Sequence, residues 1–143
     1  MKTILEAENE IIEAFVLFDD WMDKYNYIIE LGKTLPLIDP QYKDDAHLIP
    51  GCQSQVWLQA ESKDHLLFFR ADSDAIITKG IINLLIRVLS GHTPQEIADA
   101  SLSYLDKIGI KEHLSPTRSN GLLSMIQQIK NYANVELKRQ KSL

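Results

Sequence analysis

The chain has 143 residues, of which 45% are hydrophobic and 24% charged, the balance of a globular protein rather than a disordered one. Fifteen Lys and Arg against twenty Asp and Glu leave a net charge of −5, which argues against nucleic-acid binding through a clustered basic surface. No apolar run approaches the ~20 residues of a membrane span, and one cysteine, Cys52, permits neither an internal disulfide nor a multi-thiolate metal or cluster site.

The length suits a single domain, residues 1–143, and no repeat, low-complexity tract or Pro/Gly/Ser-rich linker divides it. Met1 to Glu13 is rich in Glu and lacks the basic region, apolar run and cleavage site of a signal peptide, so a cytoplasmic protein is expected.

Ile4, Ile11, Phe15 and Phe18 recur at helical spacing and predict a first helix from Thr3 to Phe18. Asp19 or Asp20 can cap a second, which carries Trp21, Tyr25, Ile28 and Ile29 and stops near Gly32. Asp39-Pro40 opens a short helix over Gln41 to Ala46, followed by a loop from His47 to Gln53. Gln55 to Ala60 alternates, with Val56, Leu58 and Ala60 on one face. His65 to Ala71 is a second strand, and Ser62-Lys63-Asp64 between the two predicts a hairpin.

Asp72-Ser73-Asp74 then offers a cap to a helix from Ala75 to Leu89, apolar nearly all round and therefore the expected centre of the core. Gly80 within it costs ~1 kcal/mol against alanine, which predicts a close backbone neighbour there. Thr93-Pro94-Gln95-Glu96 is a capping box. Ser101 to Ile108 supplies another helix. Ser115-Pro116 starts the last one, with Leu122, Met125, Ile126 and Ile129 inward and a basic end, Lys138 to Lys141, expected to fray. Helices around a small antiparallel sheet make an α+β fold.

Cys52 follows a Pro50-Gly51 turn and precedes a strand. Glycine permits the sharp turn and leaves the thiol within reach of a partner, and loops held by a rigid sheet carry reactive groups. On these grounds Cys52 is either a reactive thiol or a small packed hydrophobe.

The run Gly51-Cys52-Gln53-Ser54-Gln55-Val56-Trp57-Leu58 resembles the cysteine-loop signature of the SufE family, the sulfur acceptors of iron–sulfur cluster assembly. Two more blocks match in order, Asp72-Ser73-Asp74-Ala75-Ile76-Ile77-Thr78-Lys79-Gly80 and Leu114-Ser115-Pro116-Thr117-Arg118-Ser119-Asn120-Gly121-Leu122. Tyr27 to Gly32, with Leu35-Pro36 after it, adds to the similarity. The termini, the hairpin turn and the stretch from His92 to Gly109 are less typical.

The resemblance implies helices on a short antiparallel sheet, as in SufE and the IscU-type scaffolds. It implies that Cys52 accepts sulfur as a persulfide from a PLP-dependent cysteine desulfurase of the SufS kind and passes it to a downstream cluster-assembly scaffold. Gly51, Gln53, Ser54 and Asp74 would support the loop, and Arg118 would bind the partner. No cofactor and no metal are expected on this chain itself. The chemistry fits one thiol, because sulfane-sulfur transfer is thiolate attack on a persulfide, and a second nearby cysteine could expel the sulfur by closing a disulfide. The other reading is a non-catalytic allosteric regulator of the desulfurase, with Cys52 carrying no sulfur.

Other constellations carry less. His47, His65, His92 and His113 show no fixed spacing to Cys52 for a Cys–His hydrolase. His47 is expected in a surface loop, His65 at a strand end, His92 and His113 solvated at helix termini. Asp72 and Asp74 could form a carboxylate pair, but Asp74 reads better as a helix cap, and the resemblance implies that this helix packs beside the cysteine loop. Arg118 sits in a helix's first turn, where the dipole disfavours a cation, and a partner carboxylate would explain it. Trp57, Phe68 and Phe69 are expected as sheet and core residues rather than a platform for bases.

Overall fold

A computed structural model describes residues 2–142. Its elements follow in order: α1 (Ile4–Val16), α2 (Trp21–Gly32), β1 (Val56–Lys63), β2 (Leu66–Ser73), α3 (Ile76–Leu89), α4 (Pro94–Asp99), α5 (Tyr104–Lys107), α6 (Ile110–His113) and α7 (Pro116–Lys141). The α+β expectation holds: seven helices pack on a two-stranded antiparallel sheet among the described residues.

The core is built on α3, in which eleven of fourteen residues are buried. Helix α2 lies along α3, α1 bridges α3 and α5, and α7 closes the far side against α4 and α3. The crossing of α2 and α3 is tight because Gly80 has no side chain. A Cβ there would stand 1.9 Å from the Ile28 carbonyl oxygen, the close approach that the sequence predicts. Asn83 fastens the same pair, its amide donating to the Leu31 carbonyl at 2.7 Å and to Thr34 Oγ1 at 3.2 Å. The Leu31 carbonyl also accepts from the Thr34 N–H at 3.1 Å, so the Asn83 amide joins a turn that already closes α2.

In the hairpin, Val56 pairs with Ser73 and Lys63 with Leu66. Val56, Leu58, Leu67, Phe69 and Ala71 all turn into the core, as period-two alternation requires. The turn is Asp64-His65, both at positive φ (54° and 67°), as a tight two-residue hairpin needs. The expected Ser62-Lys63-Asp64 break is therefore displaced. Ser62 and Lys63 are polar only because the hairpin tip is solvated, and they continue the ladder.

Other boundaries shift for local reasons. Helix α1 stops at Val16 and starts from a Thr3–Glu6 capping box. The expected helix over Gln41 to Ala46 is two 3₁₀ turns, Pro40–Tyr42 and Asp45–His47, capped by Asp39 and Asp44. Asp44 bonds the His47 N–H and so starts a new turn instead of continuing the first. The helix expected over Ser101 to Ile108 becomes one turn, α5, separated from α6 by Gly109 at φ 72°. The α4 capping box forms as expected. Helix α7 runs on to Lys141 rather than fraying at Lys138, its basic last turn complementing the dipole.

Candidate functional site

The cysteine loop is held at two points. At its base the Ile49 N–H donates to the Val56 carbonyl at 2.8 Å, and Leu48 bridges Trp57. On the strand side Gln55 is clamped. Its N–H donates to Asp74 Oδ1 at 3.1 Å, its carbonyl accepts from the Ser73 hydroxyl at 2.7 Å, and the Asp74 N–H donates to the same carbonyl at 3.3 Å. Asp74 is thus no helix cap, which corrects the expectation: Ala75 occupies the N-cap position of α3 with no side-chain bond. The carboxylate is spent on the loop instead.

Between these anchors the chain turns at Gly51, φ 85°. Its conformation calls for glycine, and a Cβ there would lie 2.6 Å from Ser124 Oγ, so the Ser124 hydroxyl would have to rotate away. The turn aims Cys52 at α7, where its thiol donates to the Gly121 carbonyl at 3.6 Å, and Cys52 is half-buried. Burial pushes the thiol above its ordinary range, because desolvation disfavours the thiolate.

Beneath the thiol is a cavity of about 70 Å³. Gln53, Ser54, Thr117 and Arg118 line its mouth, and Thr78, Ile81, Gly121 and Met125 its floor. Of the residues singled out in the sequence, Gln53, Ser54 and Arg118 therefore gather round Cys52. Gly51 and Asp74 act on it through the backbone. Arg118 is exposed in the first turn of α7, with its N–H bonded to Ser115 Oγ at 3.3 Å and its guanidinium donating to the Tyr25 hydroxyl at 3.2 Å. It has no carboxylate at ion-pair distance among the described residues.

Asp72 and Asp74 do not form a pair. Asp72 holds Lys43 at 3.0 Å and Lys79 at 3.3 Å, and Lys43 also lies 4.8 Å over the Trp57 ring. Burial alone would raise the Asp72 carboxyl, but hydrogen bonds from Lys43, Ser73 and Lys79 together hold it below the usual range. The cluster ties the segment before the cysteine loop to β2 and α3. Phe69 is buried in the core, while Trp57 and Phe68 are half-buried on the outer side.

The histidines lie away from the thiol cavity. His92 is buried at 8% exposure, not solvated as expected, because its carbonyl accepts from the Leu67 N–H and draws it onto β2. His113 stacks on Trp21 with ring centres 4.3 Å apart. His47 bonds Asp44 at 2.6 Å. Among the described residues no three His, Cys, Asp or Glu side chains converge to hold a metal, and no helix is long and apolar enough to cross a membrane.

Sequence reasoning did not single out Tyr25, Thr78 or Gly121 for the site. Gly121 left a signal: a glycine inside an otherwise continuous helix marks a close approach, here that of Cys52 Sγ.

Fold and site together define an α+β protein with one sheltered thiol where a clamped loop meets the end of a long helix. A family model described as "SufE: Fe-S metabolism associated domain" matches residues 9–133. An uncharacterised SufE-like protein of Rhizobium meliloti is 40% identical over 134 residues, covering 90% of this chain and 96% of that one. Another from Rhizobium etli is 39% identical over 139 residues, 94% of each chain. The solution structure of a hypothetical protein from Thermus thermophilus superposes with a TM-score of 0.76 at 16% identity, covering 92% of this chain and 96% of that one, a likeness of fold. The chain belongs to the SufE family, which associates it with iron–sulfur metabolism.

Proposed function

We propose that this protein is a cytoplasmic sulfur acceptor and activator for a PLP-dependent cysteine desulfurase, and that Cys52 carries the sulfur as a persulfide to a cluster-assembly scaffold. The observation that carries the reading is the lone thiol at the mouth of a cavity, on a loop tied down at Ile49 and Gln55 but turning on Gly51 between them.

The chemistry needs no further group on this chain. The Cys52 thiolate attacks the outer sulfur of a donor persulfide, R–S–SH. A new S–S bond forms to Cys52, the donor's S–S bond breaks, and R–S⁻ leaves with the electron pair. The oxidised sulfur is handed over without a net redox change. Delivery to the next acceptor repeats the same displacement, with Cys52 as the leaving thiolate.

The resting thiol is poorly suited to attack because burial disfavours its thiolate. Partner binding therefore has to select an outward loop, with Gly51 as the hinge and the Ile49 and Gln55 anchors retained. The unpaired Arg118 beside the cavity offers the partner a site for a carboxylate.

Desulfurase turnover measured with wild-type protein and with Cys52→Ser tests this. The carrier reading expects stimulation to vanish with the thiol. Full stimulation by Cys52→Ser would instead support allosteric regulation with Cys52 carrying nothing.

A further inference from the structure

The floor of the Cys52 cavity contains a hydroxyl that the fold does not use. Ile81 and Met125 are each 2% exposed, and Thr78, which lines the cavity with them, is 7% exposed. Thr78 lies in the first turn of α3, and its Oγ1 makes no hydrogen bond with any described residue. The Thr78 hydroxyl is not sealed, for Asn83 Oδ1 is the one fully buried side-chain polar atom left without a partner among the described residues; the hydroxyl is open to the cavity. Ile81, Met125 and Gly121 bring no donor side chain to the floor, so Thr78 supplies its one side-chain donor.

The thiol above it meets the opposite kind of group. In the empty state Cys52 is a neutral S–H donating to the Gly121 carbonyl. A persulfide is a stronger acid than its parent thiol, and near neutral pH its outer sulfur is an anion with no proton to give. That sulfur and the Gly121 carbonyl are both acceptors and repel each other. The outer sulfur stands ~2 Å beyond Sγ, and within so small a cavity it has to turn towards a donor. Gln53, Ser54, Thr117 and Arg118 offer donors on the exposed side and Thr78 the one on the buried side.

We propose that Thr78 holds the outer sulfur of loaded Cys52, its hydroxyl donating to the sulfane sulfur once the side chain has turned from Gly121. This rests on the carrier reading and assigns a residue to it. The Gly121 carbonyl then favours the empty thiol and the Thr78 hydroxyl the loaded one, so a change of charge on sulfur selects the side-chain position. Loading proceeds as above. The Cys52–S bond forms as the donor's S–S bond breaks, R–S⁻ departs, and the new terminal S–H releases its proton to water.

The test loads wild type, Thr78→Val and Thr78→Ser with glutathione persulfide. It then follows alkylation of the loaded form by a neutral reagent across pH, using intact mass. Arg118, the charged side chain on the cavity, is present in all three. Losing a hydrogen bond to an anion should move the Thr78→Val midpoint up by about one pH unit relative to wild type. Thr78→Ser should follow wild type, and the unloaded thiols of wild type and Thr78→Val should titrate together. Coincident profiles for loaded wild type and Thr78→Val would overturn the assignment, as would a Thr78→Ser profile shifted like that of Thr78→Val, which would make the methyl group the cause. A wild type that takes up no sulfur would instead contradict the carrier reading on which the assignment rests.

Discussion

The Asp74 carboxylate and the Gln55 N–H lie 3.1 Å apart and join the entry to α3 to the end of the cysteine loop. With the Ser73 hydroxyl on the Gln55 carbonyl at 2.7 Å, the pair anchors the strand end of the loop. Asp74→Ala removes the charge-assisted bond at an exposed site and should cost about 1 kcal/mol of stability. Confined to the loop, the same energy raises the population with Cys52 turned out by roughly fivefold. Iodoacetamide labelling of the free protein should quicken accordingly. An unchanged labelling rate would mean the clamp does not restrain the thiol.

The Cys52 thiol should titrate late. Burial raises it above the ordinary range, so labelling should increase with pH along a curve centred above the ~8.5 of a free cysteine. The linked stability has a definite sign. The folded state holds this proton more tightly than the unfolded chain does. The contribution is complete below the unfolded thiol's midpoint and is lost as pH rises through the folded one. A labelling midpoint at or below that of a model thiol would show an open loop.

Gly80→Ala should be strongly destabilising although alanine is the better helix former. The new Cβ would stand 1.9 Å from a backbone oxygen of Ile28, and no rotamer change relieves a backbone clash. The ~1 kcal/mol gained in helix propensity is outweighed by separating α2 from α3, for a net loss of about 3 kcal/mol in urea denaturation. Stability equal to wild type would show that the helices part freely.

Arg118→Ala should weaken binding to the desulfurase about tenfold or more while leaving the melting temperature nearly unchanged. Its guanidinium is exposed and has one bond, to the Tyr25 hydroxyl at 3.2 Å, so little of the fold depends on it. Calorimetry showing wild-type affinity would make Arg118 a solvated surface residue.

What was legible in the sequence is what rests on local patterns. Alternation set the faces of β1 and β2, the apolar run of α3 announced the core, and Gly80 announced the helix crossing. Local patterns failed where polar residues have two uses. Asp74 looked like a cap, yet its carboxylate bonds a strand residue far away in sequence, and Asp44 starts a second turn rather than lengthening the first. The cysteine loop was visible as a motif, but its surroundings were not. Thr78, Gly121 and Tyr25 come from three different helices and meet at the site only through tertiary packing.

The central claim is that Cys52 itself receives sulfur. Intact-mass spectrometry of the protein after incubation with a cysteine desulfurase and free cysteine tests it most directly. The account predicts a gain of one sulfur atom, reversed by a reductant and absent from Cys52→Ala. A mass unchanged while the desulfurase is nonetheless stimulated would contradict it.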